Sequence, residues 1–362
     1  MRLLHLSLRN YRNYSRLDLT PGPALNVFLG RNGQGKTNLL ESVALLALSA
    51  SPRARRDAEL IGPLGDEARV AARIESGGRP TEIEYSVSRS ETERTRRSIT
   101  VNGAPRRAVD LPGHFRVTLF WPDDLSLVKS GPEHRRRLLN QLLVQVEPGY
   151  ARSLARYGRV LEQRNSLLKQ VAAGEQPAAA LEVWDEELAR VGSAIAEARA
   201  GVVADLDRHA GSQHPRLAGG ESLSLRYLGP PEDLAAAVQK SRAEDLRRGV
   251  TTVGPHRDDI EVVLDGRDAR AFASQGQQRS AVVSLKLAEA AIIQERTGEP
   301  PVLLLDDVLS ELDPHRRLAL LERVGEQEQV IITSVEAGPF PQGSMADAVV
   351  RRIEAGRVDD CG

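Results

Sequence analysis

The sequence predicts an α/β fold of mixed sheets and helices that is divided into two halves by an inserted helical region. Three observations carry the prediction: short strands dominate the start of the chain, helix formers dominate residues 132–209, and strands return at residue 223. At 362 residues the chain is longer than the roughly 250 to 300 at which a single core stops growing. We therefore expect a first half at 1–131, a helical insertion at 132–215 and a second half at 216–362.

The strands of the first half are indicated by apolar runs and by alternation of apolar and polar residues. Leu25–Leu29 is a continuous apolar run, which is typical of a buried strand. Asn102 and Gly103 form the strongest hairpin signal, because both residues tolerate the positive φ angles of a two-residue turn. The other strands predicted in this half are 3–8, 16–19, 70–74, 81–88 and 97–101.

The helical insertion carries two stripes of mostly apolar residues with heptad-like spacing. A turn that contains Gly174 and Pro177 separates them. The pattern predicts an antiparallel hairpin of two helices, each ~30 to 45 Å long at ~1.5 Å per residue, as a short coiled arm or within a compact helical domain. The stripes are Tyr150, Leu154, Tyr157, Leu161, Arg164 and Leu168, then Leu181, Trp184, Leu188, Val191, Ile195, Ala198 and Val202.

Beyond the insertion, strands are predicted at 223–227, 260–264, 302–305 and 330–332, with a helix at 280–294 among them. The formal net charge of -1 leaves any binding of nucleic acid to local basic patches. Cys361 is the only cysteine, which excludes an internal disulfide and a Cys-based zinc cluster and fits a reducing cytoplasm. The longest apolar stretch, 43–50, is far short of the roughly 20 residues that span a bilayer. We therefore expect a soluble protein without a membrane partner.

A glycine-rich loop follows the strand Leu25–Leu29. It matches the pattern Gly-x-x-x-x-Gly-Lys-Ser/Thr, and a helix is predicted directly after it. Its backbone N–H groups and the helix N-terminus suit phosphate oxygens, Lys36 reaches the terminal phosphates, and Thr37 is a ligand for Mg²⁺. The sequence thus predicts an ATP site built from Gly30, Arg31, Asn32, Gly33, Gln34, Gly35, Lys36, Thr37 and Asn38.

The predicted strand 302–305 ends in two carboxylates, Asp306 and Asp307. P-loop ATPases place an acid beside Mg²⁺ in this way. We expect Asp306 to hold the metal, directly or through water, and Asp307 to polarise the attacking water as a general base. Asp307 and Lys36 are therefore the predicted catalytic residues.

A second small loop, Ser274-Gln275-Gly276-Gln277-Gln278, precedes the predicted helix 280–294. A serine hydroxyl and backbone N–H groups at a helix start form an anion site, although an ordinary helix cap has the same pattern. The position of this loop, between the P-loop and the Asp306-Asp307 strand, favours the anion site.

The order of four segments resembles that of an ABC-type ATPase head. They are the glycine-rich loop, or P-loop, the Ser-x-Gly-Gln loop, the Asp306-Asp307 strand and Ser310-Glu311-Leu312-Asp313. The resemblance implies a trans signature, in which Ser274, Gln275, Gly276 and Gln277 close over ATP held by the P-loop of a second subunit. The long gap between the P-loop and the signature loop contains the helical insertion, so the chain resembles the SMC-like branch rather than transporter subunits. Its arm is far too short for a chromosome-organising SMC protein.

Within that branch the chain resembles the RecF family over nearly its whole length. The resemblance implies ATP-dependent homodimerisation on DNA, and a weak, DNA-stimulated ATPase whose slow hydrolysis releases the dimer. It also implies cooperation with RecR and RecO, upstream of RecA, to load RecA on gapped single-stranded DNA in recombinational and replication-gap repair, with a cytoplasmic, nucleoid-associated location. The segments that carry the resemblance are 8–14, 30–38, 120–125 with 131–137, 254–259, 274–279 and 303–313.

The chain departs from the general ABC pattern at two places. Asp307 stands where a glutamate is usual, and its shorter side chain suits slow turnover. Thr333 and Ser334 stand where many ABC ATPases carry a switch histidine, which leaves the γ-phosphate sensor unassigned.

Clusters of arginines are the candidates for contact with DNA, either duplex or a single-strand/duplex junction. Solvated surface charge is the alternative for each cluster, and the third cluster would instead pack against the head where the helical insertion begins. His256 and Arg257 fit a metal or phosphate site, or a turn held by hydrogen bonds to Asp258. The arginine clusters are Arg53, Arg55 and Arg56, then Arg94, Arg96 and Arg97, then Arg135, Arg136 and Arg137.

Two other classes of function stay open at this level. The ATPase subunit of a membrane transporter carries the same two loops, but with a short gap between them. An SMC-like structural tether needs arms beyond about 100 Å. The long gap argues against the first class, and the short heptad stripes argue against the second.

Overall fold

The computed structural model describes residues 1–90, 95–325, 328–337, 340 and 348–360, without the side chains of Leu125 and Glu311. Arg94 and Cys361 therefore lie outside the described residues. The strands are β1 (Arg2–Tyr11), β2 (Tyr14–Leu19), β3 (Leu25–Leu29), β4 (Glu67–Ser76), β5 (Arg79–Arg89), β6 (Thr95–Val101), β7 (Ala104–Pro105), β8 (Val117–Phe120), β9 (Leu223–Leu228), β10 (Asp259–Leu264), β11 (Arg267–Asp268), β12 (Val302–Asp306), β13 (Val330–Ser334), β14 (Val349–Glu354) and β15 (Arg357–Asp360). The helices are α1 (Lys36–Leu48), α2 (Ser126–Lys129), α3 (Pro132–Val146), α4 (Tyr150–Ala172), α5 (Glu182–Leu217), α6 (Leu234–Arg248), α7 (Ala269–Phe272), α8 (Gln275–Thr297) and α9 (Pro314–Gly325).

The first sheet is antiparallel, in the order β2-β1-β4-β5-β6-β7. Its strands alternate buried and exposed residues, which is typical of a sheet with one face on the core. The predicted hairpin turn is confirmed: Asn102 and Gly103 have φ angles of 51° and 75°, and they join β6 to β7.

The second sheet has the order β15-β14-β3-β13-β12-β8, and all of its strands except β15 run parallel. Because β3 comes from the first half of the chain and lies between β13 and β14, the two halves share one sheet. Helix α1 packs between the first and second sheets, while α8 and α9 cover the opposite face of the second sheet. Asp306 is paired with Thr333, and Leu29 with Ser334, so the ends of three strands meet at one edge.

The helical insertion comprises α3, α4 and α5. Helices α4 and α5 form the predicted antiparallel hairpin, since Arg164 contacts Asp185 near the turn and Arg199 contacts Tyr150 at the far end. Helix α6 packs against both helices, and Arg164 also donates to Asp245 of α6 at 2.8 Å. Helix α5 has 36 residues, so it is ~54 Å long, and it continues to Leu217. The division into three segments stays a prediction.

Helix α5 also packs along α8, and the two helices run antiparallel. Asp205 binds Arg296 at one end of this contact, and His214 contacts Ser284 at the other. A third sheet, β11-β10-β9, lies beside them and shares their hydrophobic core. Within the described part of the chain, no helix is both long enough and apolar enough to cross a membrane.

Candidate nucleotide site and signature loop

The glycine-rich loop lies at the carboxyl edge of the second sheet, between β3 and α1. Gly35 caps α1 with φ 119°, and a β-carbon there would stand 2.7 Å from Asn13 Nδ2. A β-carbon on Gly30 would overlap the carbonyl oxygen of Ile353. The fold therefore requires glycine at both positions, which leaves the backbone of the loop accessible to a phosphate group.

Lys36 is almost fully buried beneath the loop, with 5% of its surface exposed. Its ammonium group donates to the carbonyl oxygens of Gly30 at 2.6 Å and Arg31 at 3.2 Å. Burial lowers the pKa of Lys36, and the negative charges of Asp307 and Asp306 oppose that shift. The cation thus lies between the loop and the two carboxylates.

The turn between β1 and β2 supports the loop from behind. The Tyr14 hydroxyl donates to the Gly35 carbonyl at 2.9 Å, and Asn13 Nδ2 donates to the Gln34 carbonyl at the same distance. Asn38 Nδ2 donates to Asn13 Oδ1 at 2.8 Å, which ties the first turn of α1 to the same support. Asn13 and Tyr14 lie in the segment 8–14, and no pattern in the sequence indicated their supporting role.

Asp306 is joined to the P-loop through Thr37. The Thr37 hydroxyl donates to Asp306 Oδ2 at 2.8 Å, and the Thr333 hydroxyl donates to Asp306 Oδ1 at 2.7 Å. A hydroxyl and a carboxylate are ligands that Mg²⁺ prefers, so these two side chains fit the metal. Among the described residues no cluster of three or more His, Cys, Asp or Glu would hold a metal by itself. Phosphate oxygens and water would complete the coordination shell of Mg²⁺.

Asp307 is held in a left-handed conformation, with φ 52°. Its backbone N–H donates to Thr333, to the carbonyl oxygen at 3.1 Å and to the hydroxyl at 3.2 Å. Thr333 thus orients both aspartates, where many ABC ATPases have a histidine nearby. Its neighbour Ser334 is turned away from them and donates to the Glu336 carbonyl at 2.8 Å.

The signature loop forms the start of α8, which begins at Gln275 rather than at the predicted residue 280. Ser274 is the N-cap of the helix: its hydroxyl accepts the Gln277 N–H at 3.3 Å, and its own N–H donates to Gln277 Oε1 at 2.8 Å. Ser274 and Gln275 are exposed to solvent, whereas Gly276 and Gln277 are half-buried. A helix N-terminus with an exposed serine is therefore available to a second molecule.

Two arginine clusters that are far apart in the sequence line one groove of about 910 Å³. Arg53 and Arg55, which follow α1, lie across from Arg136 and Arg137 of α3. Arg53 donates to Asn38 at 3.0 Å and lies over the ring of Trp121, with 5.8 Å to the centroid. Two carboxylates, of Asp123 and Glu133, also line the groove, so arginines outnumber acids there. The predicted DNA residue Arg56 is exposed but does not line this groove.

The structure contradicts the assignment of Arg135 to DNA contact. Arg135 is 4% exposed, its guanidinium forms two hydrogen bonds to Asp259 at 2.6 and 2.9 Å, and it donates to the carbonyls of Leu127 and Ser130. Its donors are used inside the fold, where it joins α3 to β10. Arg97 is also engaged, because it binds Asp57 at 2.7 Å.

His256 belongs to a hydrogen-bonded turn. Its Nδ1 contacts the Tyr157 hydroxyl at 2.7 Å, and its Nε2 contacts the Thr251 carbonyl at 3.0 Å. Both ring nitrogens are therefore engaged with the protein, and the predicted partner Asp258 instead binds Arg199 of α5. The turn connects α4, α5 and β10, and this supports a structural role.

Comparisons with known proteins agree with this geometry. The family model for the RecF/RecN/SMC N terminal domain matches residues 2–355. The chain is 40% identical over 370 residues to the DNA replication and repair protein RecF of Heliobacterium modesticaldum, covering 99% of both chains. It is 38% identical over 385 residues to the protein of the same name from Chloroflexus aurantiacus, covering 98% of both.

Solved structures extend the similarity to three dimensions. The structure of the recombination mediator protein RecF-ATP in the RecFOR pathway matches with a TM-score of 0.90 and 31% identity, covering 99% of this chain and 97% of that one. An Smc head bound to the C-winged helix domain of ScpA matches with a TM-score of 0.56 and 16% identity, over 100% of this chain and 97% of that one, which shows a shared fold alone. The chain is therefore a member of the RecF family, with the fold of an SMC-like ABC-type ATPase head.

Proposed function

We propose that the chain is an ATP-gated DNA clamp that acts in recombinational repair and in the repair of replication gaps. ATP bound between two copies of the chain creates a DNA-binding homodimer, and slow, DNA-stimulated hydrolysis releases it. The nucleotide acts as a switch because it binds the dimer more tightly than the monomer.

One observation carries the proposal. The P-loop and Asp306 meet within a single chain through the contact between Thr37 and Asp306, while Ser274 of the signature loop is exposed at the start of a different helix. One chain thus provides one half of each of two ABC-type sites. Its P-loop would bind one nucleotide, and its signature loop would close over the nucleotide of a second copy. Two copies related by a two-fold axis would complete two sites.

The hydrolysis step is assigned to residues at the sheet edge. Thr37 and Asp306 would hold Mg²⁺, which neutralises charge on the terminal phosphates when it is bound. Lys36 binds the same phosphates, and Asp307 orients and deprotonates the attacking water. The left-handed backbone of Asp307 directs its short side chain from a fixed position, and a short side chain suits slow turnover.

The groove lined by Arg53, Arg55, Arg136 and Arg137 is the proposed contact to DNA. Arginine side chains on both walls suit the regularly spaced phosphates of a duplex or of a single-strand/duplex junction. Arg56 extends the same basic surface. Arg53 also contacts Asn38 at the start of α1, so the proposed DNA groove adjoins the proposed ATP site.

The cellular role follows from family membership. Relatives carry the name DNA replication and repair protein RecF, and two similar solved structures are described as RecF of the RecFOR pathway. We assign this chain the same pathway, in which it would cooperate with RecR and RecO to load RecA on gapped single-stranded DNA at the nucleoid.

Binding to labelled duplex, gapped and single-stranded DNA, measured by gel shift with and without ATP, tests the proposal. We expect tight binding only with ATP, and only to substrates that contain duplex. In the double variant Arg55→Ala/Arg137→Ala, which changes two exposed arginines of the groove, the salt dependence should fall by about two units of slope, since each arginine released from a phosphate removes about one.

The control is Arg226→Ala, which removes an exposed arginine that is paired with Glu261 on the third sheet. Its salt slope should match that of the unmodified chain. Absence of DNA binding in ATP would contradict the clamp, and an unchanged slope in the double variant would contradict this groove as the contact.

A further inference from the structure

The side chain of Gln277 in the signature loop is held at both ends of its amide group. Its carbonyl oxygen accepts the Ser274 N–H at 2.8 Å, and its NH₂ group donates to the Glu221 carboxylate. Glu221 lies on the loop between α5 and β9, 56 residues before Gln277 in the chain. The signature loop thus has a partner from a different part of the chain.

Glu221 sets the orientation of that amide. An ionised carboxylate only accepts hydrogen bonds, so the NH₂ group of Gln277 must face Glu221. The amide oxygen then faces the N–H of Ser274, as the cap requires. With the amide reversed, its NH₂ group would point at the Ser274 N–H, and two donors would oppose each other. The Ser274 cap therefore depends on the acceptor oxygen that Glu221 provides.

His214, in helix α5 of the helical insertion, holds Glu221 in place. His214 is fully buried in the last turn of α5, and its Nε2 contacts the second carboxylate oxygen of Glu221 at 3.1 Å. Its Nδ1 contacts the Ser284 hydroxyl of α8 at 2.8 Å. Burial lowers the pKa of His214, so the ring is neutral near pH 7, donates from Nε2 to Glu221 and accepts the Ser284 hydroxyl at Nδ1. The chain of contacts runs from α5 through Glu221 to Gln277.

We propose that Glu221, held by His214, is a positioning residue that fixes the signature loop for the ATP of a second copy of this chain. The inference rests on the proposed function, because it concerns the half of the site that acts in trans. Helix α5 of the helical insertion carries His214, so the insertion contributes to the position of the signature loop through Glu221.

Variants of Glu221 separate this role from simple folding. In Glu221→Ala the amide of Gln277 loses its charged acceptor, and we expect the dissociation constant of the ATP-bound dimer, measured by sedimentation, to rise about tenfold or more. ATP binding by the monomer should stay unchanged, since the P-loop is untouched. Unfolding followed by circular dichroism checks that the variant is folded.

The conservative variant Glu221→Gln should restore most of the dimerisation, to within about threefold of the unmodified chain. The oxygen of the introduced amide accepts from Gln277, and the NH₂ group of that amide donates to Nε2 of His214, whose ring changes tautomer and donates from Nδ1 to Ser284. The Ser284 hydroxyl, which no longer donates to Nδ1, then donates to the Ser280 carbonyl oxygen. A role limited to burying a charge would not predict this rescue.

Ser222→Ala is the matched control, because Ser222 is the next residue and binds Asp265 instead of the signature loop. It should dimerise like the unmodified chain. If Glu221→Ala does not fold, His214→Asn serves in its place, since the shorter amide keeps the contact with Ser284 but does not reach Glu221.

Hydrogen exchange of the amides at 274–278 in the ATP-free monomer provides a test that is independent of dimerisation. Exchange should be about tenfold faster in Glu221→Ala than in Ser222→Ala. Equal exchange, or unchanged dimerisation in Glu221→Ala, would overturn the inference while the clamp stands. An unmodified chain that stays monomeric in ATP refutes the clamp instead, and the exchange result then decides the positioning role separately.

Discussion

The P-loop and the signature loop, which we propose as two halves of one ATP site, are held in different ways. The P-loop rests on Asn13 and Tyr14 of the first sheet and on Asp306 of the second, all within the ATPase head. The signature loop is capped by its own helix and is held from the side by Glu221, which is bound to His214 of α5 in the helical insertion. The two sheets thus hold one half of the site, and the helical insertion contributes to holding the other.

This difference assigns two tasks to two regions. Under the proposed function, capture of ATP would depend on the contacts that hold the P-loop. Closure of the dimer would depend on the signature loop, which His214 of α5 supports through Glu221.

Lys36→Ala and Ser274→Arg should each reduce ATP hydrolysis about 100-fold, because each removes or blocks one group that contacts the transferred phosphate. Ser274→Arg should still bind ATP, since Ser274 lies on α8, away from the P-loop. An equimolar mixture of the two variants should recover roughly a quarter of the unmodified rate, because random pairing makes half of the dimers mixed, each with one intact site. Steady-state release of phosphate measures this recovery.

The control for this mixture pairs Lys36→Ala with Thr37→Ala, two variants on the same half of the site. Their mixed dimers contain no intact site, so no recovery is expected. If the first mixture also stays inactive although mixed dimers form, the two loops do not act on one nucleotide in trans.

Tyr14→Phe removes the hydroxyl that supports the Gly35 carbonyl. One neutral hydrogen bond corresponds to about a three- to tenfold loss of affinity, so ATP affinity measured by fluorescence titration should fall by that factor. Dimerisation at saturating ATP should be unchanged. Tyr85→Phe removes a hydroxyl from the same sheet and serves as the control. Weaker dimerisation at saturating ATP would show that the P-loop support also reaches the signature half.

Acidification should destabilise helices α4 and α5 of the helical insertion more than the P-loop and α1. Burial lowers the pKa of His214, with Glu221 and Asp265 opposing the shift, and burial also lowers the pKa of His256. The His256 ring is hydrogen-bonded to Tyr157 and Thr251. The positive charges of Arg257 and Arg136 also lower the pKa of His256, whereas the negative charge of Asp245 raises it. The unfolded chain takes up protons near the ordinary value of 6.5, whereas the folded state does not, so stability falls as the pH drops below that value.

Hydrogen exchange at about pH 7.5 and about pH 5.5, corrected for intrinsic rates, measures this effect. Amides of α4 and α5 should lose about two- to threefold in protection, and those of α1 should change less. In a His256→Gln variant the effect on α4 should shrink. Equal loss of protection in α1 and α5 would contradict the division between the P-loop with its supports and the helical insertion.

The sequence predicted those parts of the candidate site whose residues are contiguous in the chain. The P-loop follows its strand directly, and Asp306 ends a run of apolar residues, so pattern and spacing sufficed to locate both. The fold class and the family were likewise predicted, and the structure and the comparisons confirm them. The division of the chain at 131 and 215 and the roles of the site residues stay predictions.

The contacts that span the chain were not predictable in this way. In the sequence Arg135 belongs to a basic run that suggests an exposed surface. In the fold it binds Asp259 of β10, which is 124 residues away in the chain. Glu221 has no motif of its own, and its role depends on a helix end and a loop that meet only in the folded chain. Strand β8 was missed because Val117–Phe120 is four residues long and has no alternation. Long-range packing decided each of these cases.

The position of β3 between β13 and β14 has a consequence for the synthesis of the protein. The strand that carries the P-loop leaves the ribosome first, but its neighbours on both sides lie some 300 residues later. At about 5 to 20 residues per second, the nascent chain waits roughly 15 to 60 seconds before that sheet can close. A chain truncated before β13 therefore has a complete P-loop sequence without the neighbouring strands of the sheet that shapes it, so it would lack the proposed nucleotide site.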